Sequence, residues 1–342
     1  MQPYIRLHYF ILLENTMKIK ELGEFGLIDI LKNDTINNQD DIIKGIGDDA
    51  AVFKVADNLL QLASTDMLVE NVHFDLSFIS PWQLGYKSVA VNLSDIAAMG
   101  GTPSNILISI AIPCYIDVDF MVQLYNGMKA IAKEFKVNII GGDTVSSPEG
   151  LVINITVLGS VSADLVKYRS GAKAGDLVVV TGSIGDSAAG LDILLHKYNK
   201  ENYTEVIKKH LLPFPQVDSG TIIASYANCM NDISDGLASE ANEIAVASDK
   251  GIILNEEALP ISKDVVTIAE VFAKDVLDYA LYGGEDYQLV FTISPENFVE
   301  LKQKISSLTI VGEVTDNFKS VKLQRRDGTL LEIKSKGYNH FR

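Results

Sequence analysis

Segments of β-type composition alternate with helical stretches along most of this chain, and that alternation limits the fold more than any other feature. Between residues 45 and 162, the strand-like LLQLAST, NILISIAI, KVNIIGG and LVINITVLGSV alternate with the helical PWQLGYKSVAVNLSDIAAM and DVDFMVQLYNGMKAIAKEF. The polar segment ADLVKYRSGAKAGD follows, and the strand-like DLVVVTG opens a second alternating block. The pattern predicts an α/β (α+β) protein with two domains, residues 17–164 and residues 165–342.

The second block continues the same alternation. Its helical patterns lie around residues 186–196, 203–211, 216–227 and 235–248, and its later strands are expected at YQLVFTI and SLTIVGEV. A chain of 342 residues with 47% hydrophobic content can bury a sizeable core, so both blocks are expected to be globular.

The charge of the chain excludes some kinds of partner. A net charge of −16 argues against a nucleic acid or an anionic membrane, because phosphate backbones are held by clustered Lys and Arg. An anionic substrate would need metal ions as bridges. Cys114 and Cys229 lie far apart without Cys/His spacing, which favours neither a zinc site nor a disulfide scaffold and fits a reducing cytoplasm.

The first sixteen residues, MQPYIRLHYFILLENT, do not match the pattern of a membrane or export segment. Their apolar patch from Tyr9 to Leu13 is far shorter than the ~20 residues of a membrane span, and a small-residue cleavage site is lacking. Amphipathic spacing begins at Met17. We expect Met17 to be the natural start and residues 1–16 to be a non-native or disordered extension.

The stretch GIGDDAAV places Asp48 beside Asp49 at the start of what looks like a buried strand. At ~4 Å and an effective dielectric constant of ~20, two like charges repel by roughly 4 kcal/mol, so the pair needs a reason. Either it forms a solvated turn, or it binds a cation. The Gly45 and Gly47 spacing resembles a dinucleotide fingerprint, but the strand-like AVFKVAD that follows is not the helix which that motif requires.

Oxygen-bearing side chains recur at several predicted element ends. In QLASTDMLVENVHF, an apolar strand is expected to end in Ser64, Thr65 and Asp66, with His73 a short distance on. Such oxygens suit a hard cation such as Mg²⁺, and an Asx or Ser/Thr turn is the competing interpretation.

The predicted helix PWQLGYKSVAVNLSDIAAM carries a single polar stripe. Ser88, Asn92 and Asp95 fall at i, i+4 and i+7 among Val, Leu, Ile and Ala. A buried carboxylate is costly unless it is paired or bound to metal, which favours a functional role for Asp95.

Three more stretches repeat this construction. NIIGGDT places Asp143 after two glycines, NDISDG places Asp232, Ser234 and Asp235 at a helix start, and YGGEDYQLVF places Glu285 and Asp286 before a strand. An N-cap would explain NDISDG alone, but the number of such sites favours cation binding. Arg169 could reach a phosphate or lie exposed in the linker, and the glycine-rich VTGSIGDSAAG lacks a lysine, which favours packing.

Taken together, GIGDDAAV, STDMLVENVHF, NLSDIAAMGGTP, GGDT, VTGSIGDSAAGL, DISDG and YGGEDYQLVF resemble the thiamine-monophosphate kinase family, in order and from about Met17 onward. The resemblance implies the two-domain fold shared with aminoimidazole ribonucleotide synthetase. It implies an N-terminal domain that binds ATP and Mg²⁺ and forms a homodimer through its sheet. The implied reaction moves the γ-phosphoryl group of ATP onto thiamine monophosphate, with several Mg²⁺ ions and without a general base.

The resemblance also implies a role for individual residues. The implied metal ligands are Asp49, Ser64, Thr65, Asp66, Asp95, Asp143, Asp232 and Asp235. The implied ATP contacts are Tyr125, Gly142, Asp143, Arg169 and Ser234, and the implied substrate contacts are His73, Glu285 and Tyr338. Two alternatives remain open, namely a related enzyme acting on another small acceptor and a catalytically silent nucleotide-binding protein. A selenophosphate synthetase would need a reactive cysteine near its N-terminus, whereas the first cysteine here is Cys114.

Overall fold

The computed structural model describes residues 42–335, so the predictions for residues 1–16 and for Tyr338 lie outside the described residues. Two β-sheets, each with its own helices, account for most of the described chain. Both belong to one compact unit, residues 40–337. The predicted α/β class is confirmed, and the exact domain boundary near residue 164 stays a prediction.

The first sheet has six strands in the order β1-β2-β3-β6-β4-β5. These are β1 (Ile42–Lys44), β2 (Ala51–Ala56), β3 (Leu59–Val69), β4 (Thr102–Pro113), β5 (Asn138–Ser147) and β6 (Val152–Ser162), with helices α1 (Pro81–Ala98) and α2 (Val118–Glu134). Only β4 and β5 pair in parallel, and α2 is the crossover helix that a parallel pair requires. Burial alternates strictly along β6, so one face of this sheet is covered and the other is open.

Two glycines bring α1 and α2 into backbone contact. A Cβ on Gly85 of α1 would meet the carbonyl oxygen of Leu124 at 1.9 Å, and a Cβ on Gly127 of α2 would meet that of Trp82 at 1.9 Å. Any larger residue at either position would force the helices apart. The sequence thereby holds α1 in place over the covered face of the first sheet.

The second sheet has seven strands in the order β13-β12-β9-β11-β7-β10-β8, and only β12 and β9 pair in parallel. Its strands are β7 (Leu177–Thr181), β8 (Cys229–Asp232), β9 (Gly251–Asn255), β10 (Leu289–Ile293), β11 (Leu308–Thr315), β12 (Val321–Gln324) and β13 (Leu330–Glu332). Its helices are α3 (Asp186–Leu195), α4 (Thr204–Leu211), α5 (Val217–Ile223), α6 (Leu237–Ser248), α7 (Lys263–Val271), α8 (Val276–Tyr282) and α9 (Pro295–Lys304). Most predicted elements are confirmed, although α5 is shorter than the pattern indicated.

Helix α1 joins the two sheets. Besides the first sheet, it contacts β8 and α5 of the second half. Its sequence supports a long buried helix, because Ser80 forms a capping box with Gln83 and Pro81 occupies the first turn. Side chains of α1 can therefore reach functional groups in both halves.

Two predicted strand ends were placed wrongly. The strand predicted to end in Ser64, Thr65 and Asp66 continues to Val69, because Met67, Leu68 and Val69 keep pairing with β6 as far as Val152. In the same way β5 continues past Asp143 to Ser147 alongside β4. In both cases polar residues lie within the strand, because backbone pairing with the neighbouring strand continues past them. None of the helices in residues 42–335 is long and apolar enough to cross a membrane.

Candidate active site

Three aspartates from distant parts of the sequence converge where α1 meets the second sheet. One carboxylate oxygen from each of Asp49, Asp95 and Asp232 lies within 4.8 Å of the other two. Asp49 comes from the loop before β2, Asp95 from α1 and Asp232 from the end of β8. The fold thus joins three of the acidic motifs that the sequence presented separately.

Serine hydroxyls orient two of these carboxylates. Ser64 Oγ of β3 donates to Asp95 Oδ2 at 2.5 Å. Ser94 Oγ donates to Asp232 Oδ2, so α1 supplies both a carboxylate and a hydroxyl to the cluster. The implied metal role of Ser64 stays a prediction, and the contact made by Ser94 was missed in the sequence.

The electrostatics of the cluster favour a bound cation. Burial raises the pKa of Asp95 well above its ordinary value, and the neighbouring negative charges raise it further. Burial also raises the pKa of Asp49 and of Asp232, although the guanidinium of Arg169 opposes the increase at both. Like charges held this close are stabilised either by protons or by a metal ion.

The donor set fits a hard divalent cation. Asp49 Oδ2 is buried and has no hydrogen-bond partner among residues 42–335, which leaves a lone pair available for coordination. Carboxylate and hydroxyl oxygens are the ligands that Mg²⁺ takes in proteins, usually together with waters. We therefore judge Asp49, Asp95 and Asp232 to fit a magnesium site.

Arg169 closes one side of the cluster. Its Nε donates to Asp49 Oδ1 at 3.1 Å and its Nη2 forms an ion pair with the same oxygen. Its Nη1 lies 3.1 Å from Glu243 Oε2 of α6. The arginine therefore ties the loop before β2 to α6, and its implied contact with ATP stays a prediction.

Asp48 has a role separate from that of its neighbour. Its Oδ1 accepts the backbone N–H groups of Asp49 at 3.2 Å and Arg169 at 3.3 Å. Its Oδ2 lies 3.1 Å from Lys44 Nζ. Asp48 thus braces the loop and is neutralised by a lysine, whereas Asp49 points into the cluster.

The remaining β3 and β5 residues divide between the two faces of the first sheet. Asp66 lies opposite the buried Ile155, and the charge of Asp232 reaches it, helping burial to raise the pKa of Asp66 to about 6. Thr65 and Asp143 instead share the open face, since their strand partners are Thr156 and the exposed Ser109. Their implied metal roles stay predictions.

Two loops of the second half pack together beside the cluster. The DISDG loop between β8 and α6 carries Ser234 and Asp235, and the backbone N–H of Asp235 donates to Glu240 Oε1 at 3.0 Å. The GGED loop between α8 and β10 carries Glu285, whose N–H donates to the Ser234 carbonyl at 2.6 Å. A Cβ on Gly284 would meet that same carbonyl oxygen at 2.6 Å, which explains the glycine.

The two implied substrate residues that the structure describes are electrostatic neighbours. Glu285 Oε2 lies 2.9 Å from Lys87 Nζ and 3.3 Å from His210 Nδ1, and the charge of His73 also acts on its carboxylate. His73 Nδ1 accepts the backbone N–H of Val69 at 3.0 Å, which fixes its ring at the end of β3. Their implied contacts with the substrate stay predictions.

The glycine-rich loop VTGSIGDSAAG is filled from within the protein. The N–H groups of Gly185 and Ser187 donate to the carboxylate of Asp286, at 2.5 Å and 3.1 Å. Lys209 of α4 contacts Ser183 Oγ at 2.6 Å. The anion position at the start of α3 is thus taken by an aspartate, in agreement with the packing role that we favoured.

Two implied ATP contacts lie in structurally constrained places. Gly142 adopts a φ of 153°, and a Cβ there would meet the carbonyl oxygen of Ile108 at 1.7 Å. Tyr125 of α2 packs against the core, where burial raises the pKa of its hydroxyl. Their contacts with ATP stay predictions.

Sequence reasoning missed Lys87, Ser94 and the acidic residues of α6. Lys87 is the only charged residue between Pro81 and Ser94, and that isolation in an apolar helix was the available signal. Glu240 and Glu243 accept hydrogen bonds from Asn231 Nδ2, at 2.6 Å and 3.1 Å. They look like ordinary surface charges in a helix, so nothing in the sequence distinguished them.

Comparison with known proteins agrees with this architecture. Residues 47–161 match the family model of AIR synthase related protein, N-terminal domain, and residues 173–323 match that of the C-terminal domain. Fold and site together define an AIR synthase related protein.

Individual relatives show to which family of AIR synthase related proteins the chain belongs. The thiamine-monophosphate kinase of Bacillus subtilis (strain 168) is 40% identical over 330 residues, covering 94% of this chain and 100% of that protein. That of Aquifex aeolicus (strain VF5) is 37% identical over 332 residues, covering 95% and 100%. The solved structure of AaThiL complexed with AMPPCP and TMP superimposes with a TM-score of 0.84 at 37% identity, covering 95% of this chain and 99% of that one. The chain belongs to the thiamine-monophosphate kinase family.

Proposed function

We propose that this protein transfers the γ-phosphoryl group of ATP to the phosphate of thiamine monophosphate, giving thiamine diphosphate and ADP. The observation that carries the proposal is the cluster of Asp49, Asp95 and Asp232 in a chain whose relatives are named thiamine-monophosphate kinases. A related structure holds both AMPPCP and TMP, which supports ATP and thiamine monophosphate as the two substrates.

The chemistry explains why the site is built from carboxylates. An oxygen of the acceptor phosphate attacks the γ-phosphorus, and the bond from that phosphorus to the oxygen bridging to the β-phosphate breaks, so ADP leaves. A phosphate monoester has its second pKa near ~6 and is largely ionised at neutral pH, so the chain need not remove a proton. Positioning and charge stabilisation are then the main tasks of the protein.

The residues present indicate how that task is divided. Asp49, Asp95 and Asp232 would hold Mg²⁺, which screens the charge of the two phosphate groups when it is bound. Ser64 and Ser94 fix the direction of the Asp95 and Asp232 carboxylates. Held hydroxyls of this kind keep the ligand oxygens in place before the substrates arrive.

Glu285 and His73 suit the organic part of the acceptor. The thiazolium ring of thiamine is a cation, and Glu285 is an ionised carboxylate with 27% of its side-chain surface exposed. His73 lies close enough to influence that carboxylate. Glu285 would bind the ring, with His73 beside it as a contact for the acceptor, while the phosphate lies at the aspartate cluster.

The proposal is tested by incubating the protein with Mg-ATP and thiamine monophosphate and separating the thiamine esters by chromatography. Thiamine diphosphate should accumulate in step with ADP, and free thiamine should not be phosphorylated under the same conditions. If free thiamine alone is phosphorylated, or no thiamine ester forms, the proposed function is wrong.

We also propose a homodimer formed through the open face of the first sheet. Three apolar side chains on that face are exposed, with Met67 and Val145 at 52% and Leu107 at 38%. Strand pairing places all three on one side of the sheet, where they alternate with polar residues such as Asn154 and Ser109. Light scattering should give twice the 37.4 kDa of one chain for the wild type and one chain for Val145→Asp. Val122→Asp on α2, 51% exposed, is the control, and a monomeric wild type would refute the proposal.

A further inference from the structure

Lys87 has the position of a functional residue although neither the sequence nor the family resemblance assigned it a role. It lies in the middle of α1, and only 1% of its side chain is exposed. Burying an ammonium group is costly unless it is paired, so a lysine at this depth needs a compensating partner. From α1, its side chain reaches the second half of the chain.

The partner is the carboxylate of Glu285, 198 residues further along the sequence. Lys87 Nζ donates to Glu285 Oε2 at 2.9 Å. The backbone of Glu285 is fixed separately, because its N–H donates to the Ser234 carbonyl and its φ is 64°. The carboxylate is therefore held from two sides, by α1 through Lys87 and by the DISDG loop through the main chain.

Lys87 is also the cation that keeps Glu285 charged. Burial by itself would raise the pKa of Glu285, but the pKa is lowered, and the charge of Lys87 is the largest influence that opposes burial. His210 cannot replace the lysine, because burial and the charge of Lys87 lower the pKa of His210 to about 3. At neutral pH His210 is uncharged and Lys87 carries the positive charge.

The spacing along α1 relates Glu285 to the aspartate cluster. Lys87 and Ser94 are seven residues apart, which puts them on one face of the helix and about 10 Å apart along its axis. Ser94 contacts Asp232 in the cluster, and Lys87 contacts Glu285. Helix α1 thus contacts both the aspartate cluster, through Ser94, and the proposed ring-binding carboxylate of Glu285, through Lys87.

Resting on the proposed function, we propose that Lys87 is a positioning residue for the acceptor, holding the Glu285 carboxylate towards the cationic ring of thiamine monophosphate. Its Nζ donates to Glu285, so its effect reaches the acceptor through that carboxylate. Lys87 therefore contributes to recognition of the acceptor and leaves ATP binding unaffected.

Steady-state kinetics separate this role from a structural one. Lys87→Met should raise KM for thiamine monophosphate by ~10- to 100-fold and leave KM for ATP within about twofold, because a buried charge has lost its partner. Glu285→Gln should give a similar increase in the same constant. Lys133→Met, an exposed lysine of α2, is the matched control and should leave both constants unchanged.

A double variant covers the case in which the single variant fails to fold. Lys87→Met with Glu285→Gln removes both charges together, so no unpaired charge stays buried. If Lys87 acts through Glu285, the double variant should have the KM of Glu285→Gln for thiamine monophosphate within about twofold. A double variant that is at least tenfold worse than Glu285→Gln would overturn the proposal.

A binding measurement tests the role of Lys87 independently of the proposed reaction. Calorimetry in the presence of a non-hydrolysable ATP analogue should show that wild type prefers thiamine monophosphate over its neutral-ring analogue, in which carbon replaces the thiazolium nitrogen. Lys87→Met and Glu285→Gln should both lose that preference. If wild type binds thiamine monophosphate without turning it over, only the proposed reaction fails. If Lys87→Met retains the full preference, the role of Lys87 is wrong.

Discussion

Ser94 donates a hydrogen bond to the carboxylate of Asp232, joining α1 to the end of β8 across 138 positions of sequence. The bond is buried, and it directs one of the three clustered carboxylates. It also connects the first half of the chain to the second, so the geometry of the cluster depends on how α1 packs against β8.

Ser94→Ala should weaken the response to Mg²⁺. Outer partners of metal ligands are typically worth ~10- to 100-fold in affinity or activity, so the Mg²⁺ concentration for half-maximal rate should increase by a factor in that range. Ser88→Ala is the matched control, because Ser88 Oγ donates to the Gly85 carbonyl of its own helix. Equal effects of the two substitutions would contradict a specific role for Ser94.

The adjacent pair Asp48 and Asp49 should separate by function. Asp49→Asn should reduce kcat by orders of magnitude, because it removes a cluster carboxylate that carries an unpartnered oxygen. Asp48→Asn keeps an acceptor for the N–H groups of Asp49 and Arg169 and loses only the ion pair with Lys44. Its main effect should be a lower melting temperature. Rate assays and thermal unfolding of both variants test these two roles. A larger loss of kcat for Asp48→Asn than for Asp49→Asn would show that the roles are wrong.

Asp95→Asn should separate activity from stability. The substitution removes a charge that its neighbours repel, so the melting temperature of the metal-free protein should stay nearly constant or increase. Turnover should decrease by orders of magnitude. A large loss of metal-free stability with turnover intact would return Asp95 to a purely structural role.

The metal-free protein should lose stability as the pH increases through the titration range of the cluster. A raised folded pKa means that the folded chain binds these protons more tightly than the unfolded chain, so this contribution is present at low pH and is lost on ionisation. For Asp66 the window runs from its ordinary 3.8 to about 6. Mg²⁺ replaces the protons, so its apparent affinity should increase with pH.

Calorimetry in buffers of different ionisation enthalpy would count the protons that Mg²⁺ releases. The wild type should release protons on binding, and Asp95→Asn should release fewer. Binding without proton release at any pH above the ordinary carboxylate pKa of 3.8 would show that the cluster is already fully ionised there, contrary to the raised pKa of its members.

Much of this fold was predictable because its signals are local. Hydrophobic period and turn residues located α1, α2, β6 and β7 within one or two residues. The ends of β3 and β5 were not predictable in this way, because polar residues inside a strand resemble a turn when only neighbours are considered. Pairing with β6 and β4, which is non-local, extends both strands.

The site divides along the same line. Asp95 could be selected from its surroundings in sequence, because a carboxylate in an apolar helix departs from ordinary packing. Asp49 and Asp232 each had a turn or cap as a competing interpretation, and the number of similar motifs favoured cation binding. The contacts of Lys87 with Glu285 and of Ser94 with Asp232 span 198 and 138 positions. Such pairings depend on the seating of α1 between two sheets, which no local pattern encodes.

Phosphorus NMR of a reaction mixture tests the central claim most directly, because it shows which bond has formed. When ATP, Mg²⁺ and thiamine monophosphate are mixed with the protein, the monoester signal should be replaced by the two coupled signals of a diphosphate ester. One ADP should form for each molecule of thiamine diphosphate. Release of orthophosphate with the monoester signal unchanged would contradict phosphoryl transfer to thiamine monophosphate by this protein.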